Sequence, residues 1–350
     1  MSTVYESKKV WSDEPSAADG YRRAYANGLS KYIENQIASA RKSRREYMPP
    51  EKLAENPEKY RAEYKKMLGL PDFSRTPLIA EKELVGEDDF SQIYRIKILV
   101  TPEVPFYAML LLPKGKKEKA PLVVFQHGGG GTPELASDFY GKNNYNHGVR
   151  RVVKRGVAVL LPQLLIWSQE ESETQRAHPI DYNRDELDKD LKRFGMSVTG
   201  FEIAAIMRCI DYAVTLPEID GERIGMTGLS YGGYFTLYTM AADTRIKAGY
   251  AVGAFNDRDS YPRFDWTYFG GSLCFHDAEV AALCAPRRLA IQIGKADSVF
   301  NYETGLMEME RIRDYFSAYG ATDGLKLSVW DGGHTYSDDD ECFDFFFDSI

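Results

Sequence analysis

The chain lacks an excess of basic residues and lacks paired cysteines. Its 350 residues carry 44 Lys and Arg against 52 Asp and Glu, which gives a formal net charge of -8 at pH 7. Nucleic-acid binding usually needs a clustered basic face, so no nucleic-acid partner is expected. The four cysteines form no CxxC pair and no dense framework, and we therefore expect free, mostly buried thiols without disulfides.

Long apolar runs are also missing. The longest, VAVLLPQLLIW (157–167), is far shorter than the roughly 20 residues that a membrane-spanning helix needs. The N-terminal stretch MSTVYESKKVWSDEPSAADG contains no apolar segment of the kind found in secretory signals. We therefore expect a cytoplasmic protein without a membrane partner.

Histidine is scarce, with five residues in the chain. They form no HExxH motif and no close pair, so no metal site is predicted. The glycine run HGGGG (127–131) continues as TPE, without the GxxxxGK[ST] pattern or a partner lysine, which argues against a phosphate-binding loop. No cofactor is expected.

The pattern that is present changes near residue 75. Residues 1–75 are predicted to form an N-terminal helical appendage, with helical spacing of apolar side chains in 16–48, a break at PPEKLAENPEKY and a second helix at 60–71. In residues 76–350, four strand-like runs are followed by alternating strands and helices. This alternation predicts an α/β fold, with a mostly parallel sheet covered by helices on both faces.

Two stretches interrupt the alternation, at about 163–194 and about 255–274. Long irregular insertions in a compact α/β domain tend to be lids or binding walls. The aromatic side chains of the second stretch can equally form a satellite core beneath a loop, and the sequence leaves both interpretations open. The second stretch contains Tyr261, Phe264, Trp266, Tyr268 and Phe269. The side chains of the two stretches that offer stacking faces and hydrogen-bonding edges to a substrate are Trp167, Tyr182, Tyr261, Trp266 and Tyr268.

The segment GLSYGG (228–233) places Ser230 between glycines at positions -2 and +2. An apolar strand ends at Gly228 and an amphipathic helix begins at Tyr231, so the serine lies where a sharp strand-to-helix turn is expected. Side chains at the flanking glycines would collide with the neighbouring strand and helix. We predict that Ser230 is a nucleophile held at the carboxyl edge of the sheet.

A serine nucleophile needs an imidazole base, and the base needs a carboxylate partner. In this class of fold the order along the chain is serine, acid, histidine, which leaves His276 and His334 as candidates. His334 lies in DGGHTY, a loop between a strand and the last helix, and such a loop can bring the imidazole over Ser230. His276 precedes the strand that is expected to deliver the acid. We therefore predict His334 as the base.

Asp297 is the predicted acid, because it follows the apolar strand RLAIQIG and precedes His334. Asp331 is nearer to that histidine in sequence, but its ordinary role would be to shape the turn. Asp277 opens the segment DAEVAAL, which is typical of an acidic residue at a helix start.

The oxyanion formed during acyl transfer needs two backbone N–H donors. The amide of Tyr231 is one candidate, and the amides of Gly129 or Gly130 in the HGGGG loop are the others, because glycines let a backbone approach a substrate oxygen closely. His127, at the start of this loop, is expected to brace it.

With these residues in place, the chain from about 60 to 350 resembles the α/β-hydrolase superfamily, and within it the dienelactone hydrolase-like and acetyl xylan esterase-like group. The resemblance rests on HGGGG, on the run GFEIAAIMRCIDYAVTLPEIDGERIGMTGLSYGG, on ALCAPRRLAIQIGKAD and on the GGH loop. It implies a serine esterase that hydrolyses short-chain esters, acetate above all. The alcohol of these esters is expected to be a carbohydrate or another polar alcohol. Dienelactone hydrolases proper use a cysteine as the nucleophile. The serine at this position therefore favours carboxylic esters over lactones as substrates.

GLSYGG is also similar to the corresponding turn of prolyl oligopeptidase-like peptidases, so a peptidase or amidase with the same triad is the alternative function. Those enzymes usually carry a β-propeller before the hydrolase domain, and about 75 mostly helical residues do not suffice for one. A hydrolase fold with an inactive site that only binds is a third interpretation, which the presence of all three residue types in order disfavours. The expected partner is a small-molecule ester, and the sequence is compatible with a homo-oligomer.

Overall fold

The computed structural model describes residues 16–115, 118–166 and 182–350. Within these residues one sheet is formed by the strands β1 (Ala80–Glu87), β2 (Ser91–Thr101), β3 (Val104–Pro113), β4 (Ala120–Gln126), β5 (Ala158–Pro162), β6 (Ile219–Leu229), β7 (Ile246–Val252), β8 (Arg288–Gly294) and β9 (Leu325–Trp330). Their order across the sheet is β1-β2-β3-β5-β4-β6-β7-β8-β9. The pairs from β1 to β5 are antiparallel, and every pair from β5 onward is parallel. The predicted fold class is confirmed.

The helices that surround this sheet are α1 (Ala17–Tyr47), α2 (Pro50–Glu55), α3 (Pro57–Leu68), α4 (Pro133–Ala136), α5 (Gly148–Val153), α6 (Arg184–Lys192), α7 (Val198–Ala213), α8 (Tyr231–Ala242), α9 (Gly271–Cys274), α10 (Asp277–Ala282), α11 (Tyr302–Ala318) and α12 (Glu341–Phe347). Among the described residues, no helix is both long enough and apolar enough to cross a bilayer.

The central strand β4 shows why the sheet is covered on both faces. All seven of its residues are buried, as expected for a strand of a parallel sheet packed between two layers of helices. Leu122 and Val124 belong to the larger apolar cluster, whereas Val123 and Phe125 belong to a second cluster on the opposite face. Successive side chains of a strand point to opposite faces, so the two clusters are the two cores of a three-layer fold.

The N-terminal helices differ in one respect from the sequence prediction. The expected break at PPEKLAENPEKY contains α2 and the first turn of α3, because a proline at the first helical position lacks only an N–H that a helix start leaves unpaired. α3 packs into the larger apolar cluster, where Leu68 is fully buried and the Tyr64 hydroxyl donates to the Tyr238 carbonyl at 2.8 Å. The division into an appendage and a catalytic domain at residue 75 stays a prediction.

The structure describes the first insertion in part and the second in full. The first contains α6, while Trp167 and the rest of 167–181 lie outside the described residues. The second contains a short 3-10 turn, Phe264–Trp266, and the single-turn helix α9. Both follow strands of the parallel part of the sheet, and they are therefore placed beside its carboxyl edge.

Candidate active site

Ser230 occupies a strained turn between β6 and α8. Its backbone has φ of 61° and ψ of -123°, a region that residues with a side chain rarely adopt. A Cβ atom at Gly228 would lie 2.4 Å from the Gly232 backbone, and one at Gly232 would lie 2.0 Å from the Gln126 carbonyl oxygen. The predicted need for glycine on both sides of the serine is confirmed, and the turn keeps the Ser230 hydroxyl at the end of the strand.

Asp297 and His334 are hydrogen-bonded to each other. The distance from Asp297 Oδ2 to His334 Nδ1 is 2.8 Å, and the second carboxylate oxygen accepts the amides of Val299 at 2.7 Å and Phe300 at 3.0 Å. Burial alone would raise the pKa of Asp297, but the hydrogen bond and charge of His334 and the two amides outweigh it and hold the pKa below its usual range. Asp297 is therefore an ionised acceptor that fixes the orientation of the imidazole.

The end of β7 brings this pair to the serine. The Ser230 amide donates to the Val252 carbonyl at 2.9 Å, and a Cβ atom on the next residue, Gly253, would lie 3.2 Å from His334 Nδ1. Ser230 and His334 line the same cavity, which has a volume of about 590 Å3. The structure thus brings together Ser230, His334 and Asp297, the three residues that the sequence singled out.

The HGGGG loop forms a tight turn on the other side of Ser230. The Gly131 amide donates to the Gly128 carbonyl at 3.1 Å, and Gly130 has a positive φ of 66°. The Gly128 amide donates to the Tyr145 hydroxyl at 2.6 Å. Among the described residues, the amides of Gly129 and Gly130 donate no hydrogen bond, and Gly129 lines the cavity. Gly129 is therefore the candidate oxyanion donor of this loop that lies at the cavity, and Gly130 is next to it in the same turn.

Tyr231 lies at the first position of α8, where a backbone N–H has no partner within the helix. Its ring packs against Trp266, with the ring centroids 4.7 Å apart. The Tyr231 hydroxyl donates to Asp265 Oδ2 at 3.0 Å and accepts from Arg263 Nε at 2.6 Å. The side chain is therefore held at its far end, and Tyr231 lines the cavity beside Ser230.

His127 braces the glycine loop, as expected from its position. Its Nδ1 lies 2.9 Å from the Gly128 carbonyl oxygen, and its Nε2 accepts the Leu164 amide at 3.0 Å. These two contacts require a neutral imidazole with its proton on Nδ1, because Nδ1 must donate to the carbonyl while Nε2 accepts from the amide. Burial lowers the pKa of His127 to about 4, although the Gly128 carbonyl opposes the shift.

The comparison with known proteins agrees with this geometry. The profile of the prolyl oligopeptidase family matches residues 199–273, a segment that includes Ser230. YtaP of Bacillus subtilis, named as a hydrolase, is 24% identical over 298 residues, which cover 78% of this chain and 94% of that protein. Acetyl esterase Axe7A of Xylanibacter ruminicola is 27% identical over 198 residues, which cover 55% of this chain and 42% of that protein.

Solved structures share the fold. A Bacteroides fragilis protein assigned as an acetyl xylan esterase superposes with a TM-score of 0.66 at 16% identity, covering 83% of this chain and 80% of its own. A glucuronoyl esterase from Solibacter usitatus superposes with a TM-score of 0.57 at 13% identity, covering 79% and 88%. The chain has the α/β-hydrolase fold. In it, a nucleophile turn after a central strand and a histidine loop after the last strand are the expected places for Ser230 and His334.

The sequence did not predict one feature of this site. It is a buried network of ion pairs beneath Tyr231. Arg184 contacts both oxygens of Glu202, at 2.7 and 2.8 Å, and its Nε donates to Asp265 at 3.1 Å. Arg263 lies 3.7 Å from the same aspartate and lines the cavity. The sequence contains one signal for this network, namely that Asp265 lies between Phe264 and Trp266. A carboxylate that is buried among aromatic side chains needs hydrogen-bonding or cationic partners.

The other candidate acids lie away from this cavity. Asp331 is exposed and pairs with Lys295 at 2.6 Å. Asp277 is fully buried at the start of α10, where it pairs with Arg258 at 2.6 Å. Among the described residues, Asp297 is the carboxylate that is hydrogen-bonded to His334.

One group of metal-ligand-type atoms lies away from this cavity. Atoms of Asp257, Asp259 and His276 lie within 4.8 Å of one another, the spacing of a metal site. The buried guanidinium of Arg44 lies 3.4 Å from Asp259, however, and already supplies a positive charge. The group is best described as part of an ion-pair network, because a cation beside Arg44 would be repelled.

The aromatic insertion both lines the cavity and packs against the body of the protein, which are the two interpretations that the sequence left open. Tyr261 and Trp266 line the cavity, and Tyr268 packs inside with its hydroxyl hydrogen-bonded to Tyr234. Phe269 is fully exposed. Tyr182 is half-buried, and Trp167 lies outside the described residues.

Proposed function

We propose that this protein is a serine esterase that hydrolyses short-chain carboxylic esters through Ser230, His334 and Asp297. The observation that carries the proposal is the Asp297–His334 hydrogen bond of 2.8 Å at the cavity that also contains the strained Ser230 turn. A buried, ionised acceptor behind an imidazole that faces a cavity is the arrangement a general base needs.

The acylation half-reaction uses each residue in one role. Ser230 Oγ attacks the ester carbonyl carbon while His334 Nε2 takes the hydroxyl proton, and Asp297 stabilises the imidazolium that forms. The amides of Tyr231 and of Gly129 or Gly130 donate to the developing oxyanion. His334 then gives its proton to the leaving alcohol, and the acyl group stays on Ser230.

The deacylation half-reaction repeats these steps with water. His334 Nε2 takes a proton from the water that attacks the acyl carbonyl, the same amides hold the second oxyanion, and Ser230 regains its proton as the acid leaves. All proton transfers pass through one imidazole, so the chemistry of the ester requires no cofactor.

The cavity lining supports a short acyl group and a polar alcohol. Tyr261 and Trp266 offer flat faces with hydrogen-bonding edges, and Asn144 and Arg263 add polar groups to the same wall. Acetyl esters of carbohydrates are the substrates we favour, because acetyl esterases and acetyl xylan esterases are among the similar proteins. A lipase would need a broad aliphatic wall for a long chain.

A peptidase or amidase with the same triad is the second candidate. The match of residues 199–273 to the prolyl oligopeptidase family favours it, since that segment contains the nucleophile turn. Hydrolysis of aminoacyl amides at a rate comparable to that of short aryl esters would support the peptidase. A cytoplasmic location, a small-molecule ester as partner, and the lack of nucleic-acid or membrane partners stay predictions.

Labelling with an organophosphonate probe tests the nucleophile directly. We expect mass spectrometry to find the phosphonyl group on Ser230, and expect Ser230→Ala to lose kcat for p-nitrophenyl acetate by on the order of 10^4-fold or more. Ser260→Ala is the matched control, because Ser260 is exposed on the aromatic insertion and outside the cavity lining. Esterase activity retained by folded Ser230→Ala would overturn the mechanism.

A substrate series tests the acyl and alcohol preference separately. We expect kcat/KM to fall from p-nitrophenyl acetate through butyrate to octanoate and palmitate, and expect acetate release from acetylated xylo-oligosaccharides. A preference for octanoate or longer chains, with no acetate released from acetylated sugars, would contradict the substrate and leave the triad intact.

A further inference from the structure

The active-site cavity presents a positive charge to a substrate. Among the described residues that line it, Arg263 is the one lysine or arginine, and none is an aspartate or glutamate. The Arg263 side chain is 41% exposed. An anionic group that enters this cavity therefore meets a cation and no lining carboxylate, which favours a substrate that itself carries negative charge.

The carboxylates near Arg263 are hidden behind the cavity wall. Asp265 lies 3.7 Å from Arg263 but is fully buried, and the hydrogen bond from Arg184 at 3.1 Å already supplies it with a cation. Glu202 is also buried and pairs with the same Arg184. The two arginines and two carboxylates balance in charge, but Arg263 is the member of this network that lines the cavity, and the nearest charge acts most strongly on a bound group.

Contacts within the cavity wall hold the Arg263 guanidinium in place. Its Nε donates to the Tyr231 hydroxyl at 2.6 Å, and its Cζ lies 5.4 Å from the centroid of the Tyr231 ring and 5.6 Å from that of Trp266. The backbone is fixed as well, because the Arg263 amide donates to the Tyr261 carbonyl and the Arg263 carbonyl accepts the Trp266 amide. A cation that is oriented before binding loses less conformational freedom when it pairs with an anion.

A wall of aromatic rings connects Arg263 to the proposed base. The Trp266 ring stacks on Phe300 with the centroids 6.3 Å apart, and the Phe300 ring lies 5.9 Å from that of His334. All four of these side chains line the cavity. Since His334 gives its proton to the leaving alcohol, the alcohol part of the ester lies at the His334 end of the wall. An alcohol the size of a sugar that extends along the wall approaches Arg263.

We propose that Arg263 binds a carboxylate on the alcohol part of the ester, so that acetylated sugars bearing a carboxylate are the substrate class of this site. The inference rests on the proposed function, because it uses His334 as the proton donor to the leaving alcohol. The guanidinium fork matches the geometry of a carboxylate, and the Trp266 face suits the apolar face of a sugar ring.

Two aryl acetates of the same shape test the charge preference. The alcohol part of 4-acetoxybenzoate carries a carboxylate, and 4-acetoxybenzamide is its neutral counterpart. We expect Arg263→Gln to lower the ratio of kcat/KM for the anion to kcat/KM for the amide by about 10-fold, because a charge-assisted pair is lost at a partly exposed site. Any effect that acts through Tyr231 changes both esters and cancels in this ratio.

Matched variants separate the charge of Arg263 from its other contacts. Arg263→Lys should keep part of the preference for the anion, because it retains a cation. Arg313→Gln removes the same charge from an exposed position on α11, outside the cavity lining, and should leave the ratio unchanged. An equal fall of the ratio in Arg313→Gln would reduce the effect to net charge and contradict the proposal.

A carboxylate on the acyl part tests the position of the anion. The mono-p-nitrophenyl ester of glutaric acid carries it there, and p-nitrophenyl pentanoate is the neutral counterpart. A larger effect of Arg263→Gln on this pair than on the acetoxy pair would place the anion on the acyl side and overturn the proposal.

The remaining outcomes distinguish this inference from the proposed function. Equal loss of activity on 4-acetoxybenzoate and 4-acetoxybenzamide in Arg263→Gln would leave Arg263 only a supporting contact to Tyr231. That result would overturn carboxylate binding and leave the triad intact. A wild type that hydrolyses no aryl acetate would instead contradict the esterase itself, and this inference with it.

Discussion

His334 and His276 both lie beside aspartates, in surroundings that differ. His334 contacts Asp297 at 2.8 Å and lines the cavity, with 15% of its side chain exposed. His276 lies 3.7 Å from Asp259 and 3.9 Å from Asp257, beneath α1 and with 6% exposed. Both arrangements contain the residue types of a catalytic pair, and only one has access to a substrate.

The charges around the two imidazoles differ more than the distances. Burial, followed by the charges of Arg44, Arg258 and Arg311, lowers the pKa of His276 to about 2, so this ring stays neutral at any pH at which the protein works. The ion-pair partner of His334 is instead a carboxylate, Asp297, which is ionised. Proximity of histidine and aspartate is therefore insufficient; access and the sign of nearby charge decide which imidazole can accept a proton.

The largest expected effect separates the two histidines by activity. His334→Ala should lower kcat for p-nitrophenyl acetate by about 10^4-fold or more, because the serine loses its base. His276→Asn should leave kcat of the folded enzyme unchanged, although its stability can fall. Comparable loss of kcat in both variants, measured on samples with matched circular dichroism, would remove the distinction.

The next effect concerns the carboxylate that orients the base. Asp297→Asn should reduce kcat by about 10^3- to 10^4-fold, because an amide favours the wrong imidazole tautomer and does not stabilise the imidazolium. Asp331→Asn serves as the control, since that residue is 87% exposed and pairs with Lys295 rather than with His334. If Asp331→Asn had the larger effect on kcat, the acid would be misassigned.

A stability measurement tests whether the His276 region is structural. Arg44→Met should lower the free energy of unfolding by about 3–5 kcal/mol, because it leaves the buried carboxylates of Asp259 and Glu279 without this partner. Arg45→Met, on the next residue, removes an exposed pair with Asp314 and should cost no more than about 1 kcal/mol. Urea unfolding measures the free energy of unfolding of both variants. Equal losses of stability would show that Arg44 has no special role.

Much of the site could be predicted because its requirements are local. The glycines around Ser230 follow from the backbone contacts of one turn, and α8 begins at Tyr231 as its sequence indicates. Asp297 and His334 could be predicted because the carboxyl ends of parallel strands meet at one edge of a sheet, so residues distant in the chain must converge there.

The rest depends on contacts that no local pattern specifies. Arg184, Glu202 and Asp265 come from three separate segments, and their meeting depends on how both insertions fold over α7. The helical spacing around Tyr25 and Leu29 predicts a helix correctly, but the spacing does not reveal that this half of α1 extends beyond the surface that buries its other half. Both features depend on tertiary packing, which the periodicity of the sequence does not reveal.

A third histidine, His127, is expected to have the smallest effect. It affects the stability of the protein, and the direction in which that stability changes with pH can be tested. Its buried imidazole stays neutral down to a pKa of about 4, whereas the unfolded chain takes up a proton near the ordinary pKa of about 6.5. Between these values the unfolded state binds more protons, so the contribution of His127 to stability is complete above pH 6.5 and is lost as the pH falls. The slope is at most about 1.4 kcal/mol per pH unit.

His127→Gln isolates this contribution, because glutamine does not titrate. At pH 7 the variant should be less stable than the wild type by about 1–3 kcal/mol, since the Leu164 amide or the Gly128 carbonyl loses its partner. As the pH falls from 6.5 toward 4.5 the wild type should lose stability faster, so the difference between the two proteins should shrink. Urea unfolding of both at several pH values measures that difference, in which every other titrating group cancels. A difference that stayed constant or widened toward acid would mean that His127 is not held neutral, and the glycine loop would then need another brace.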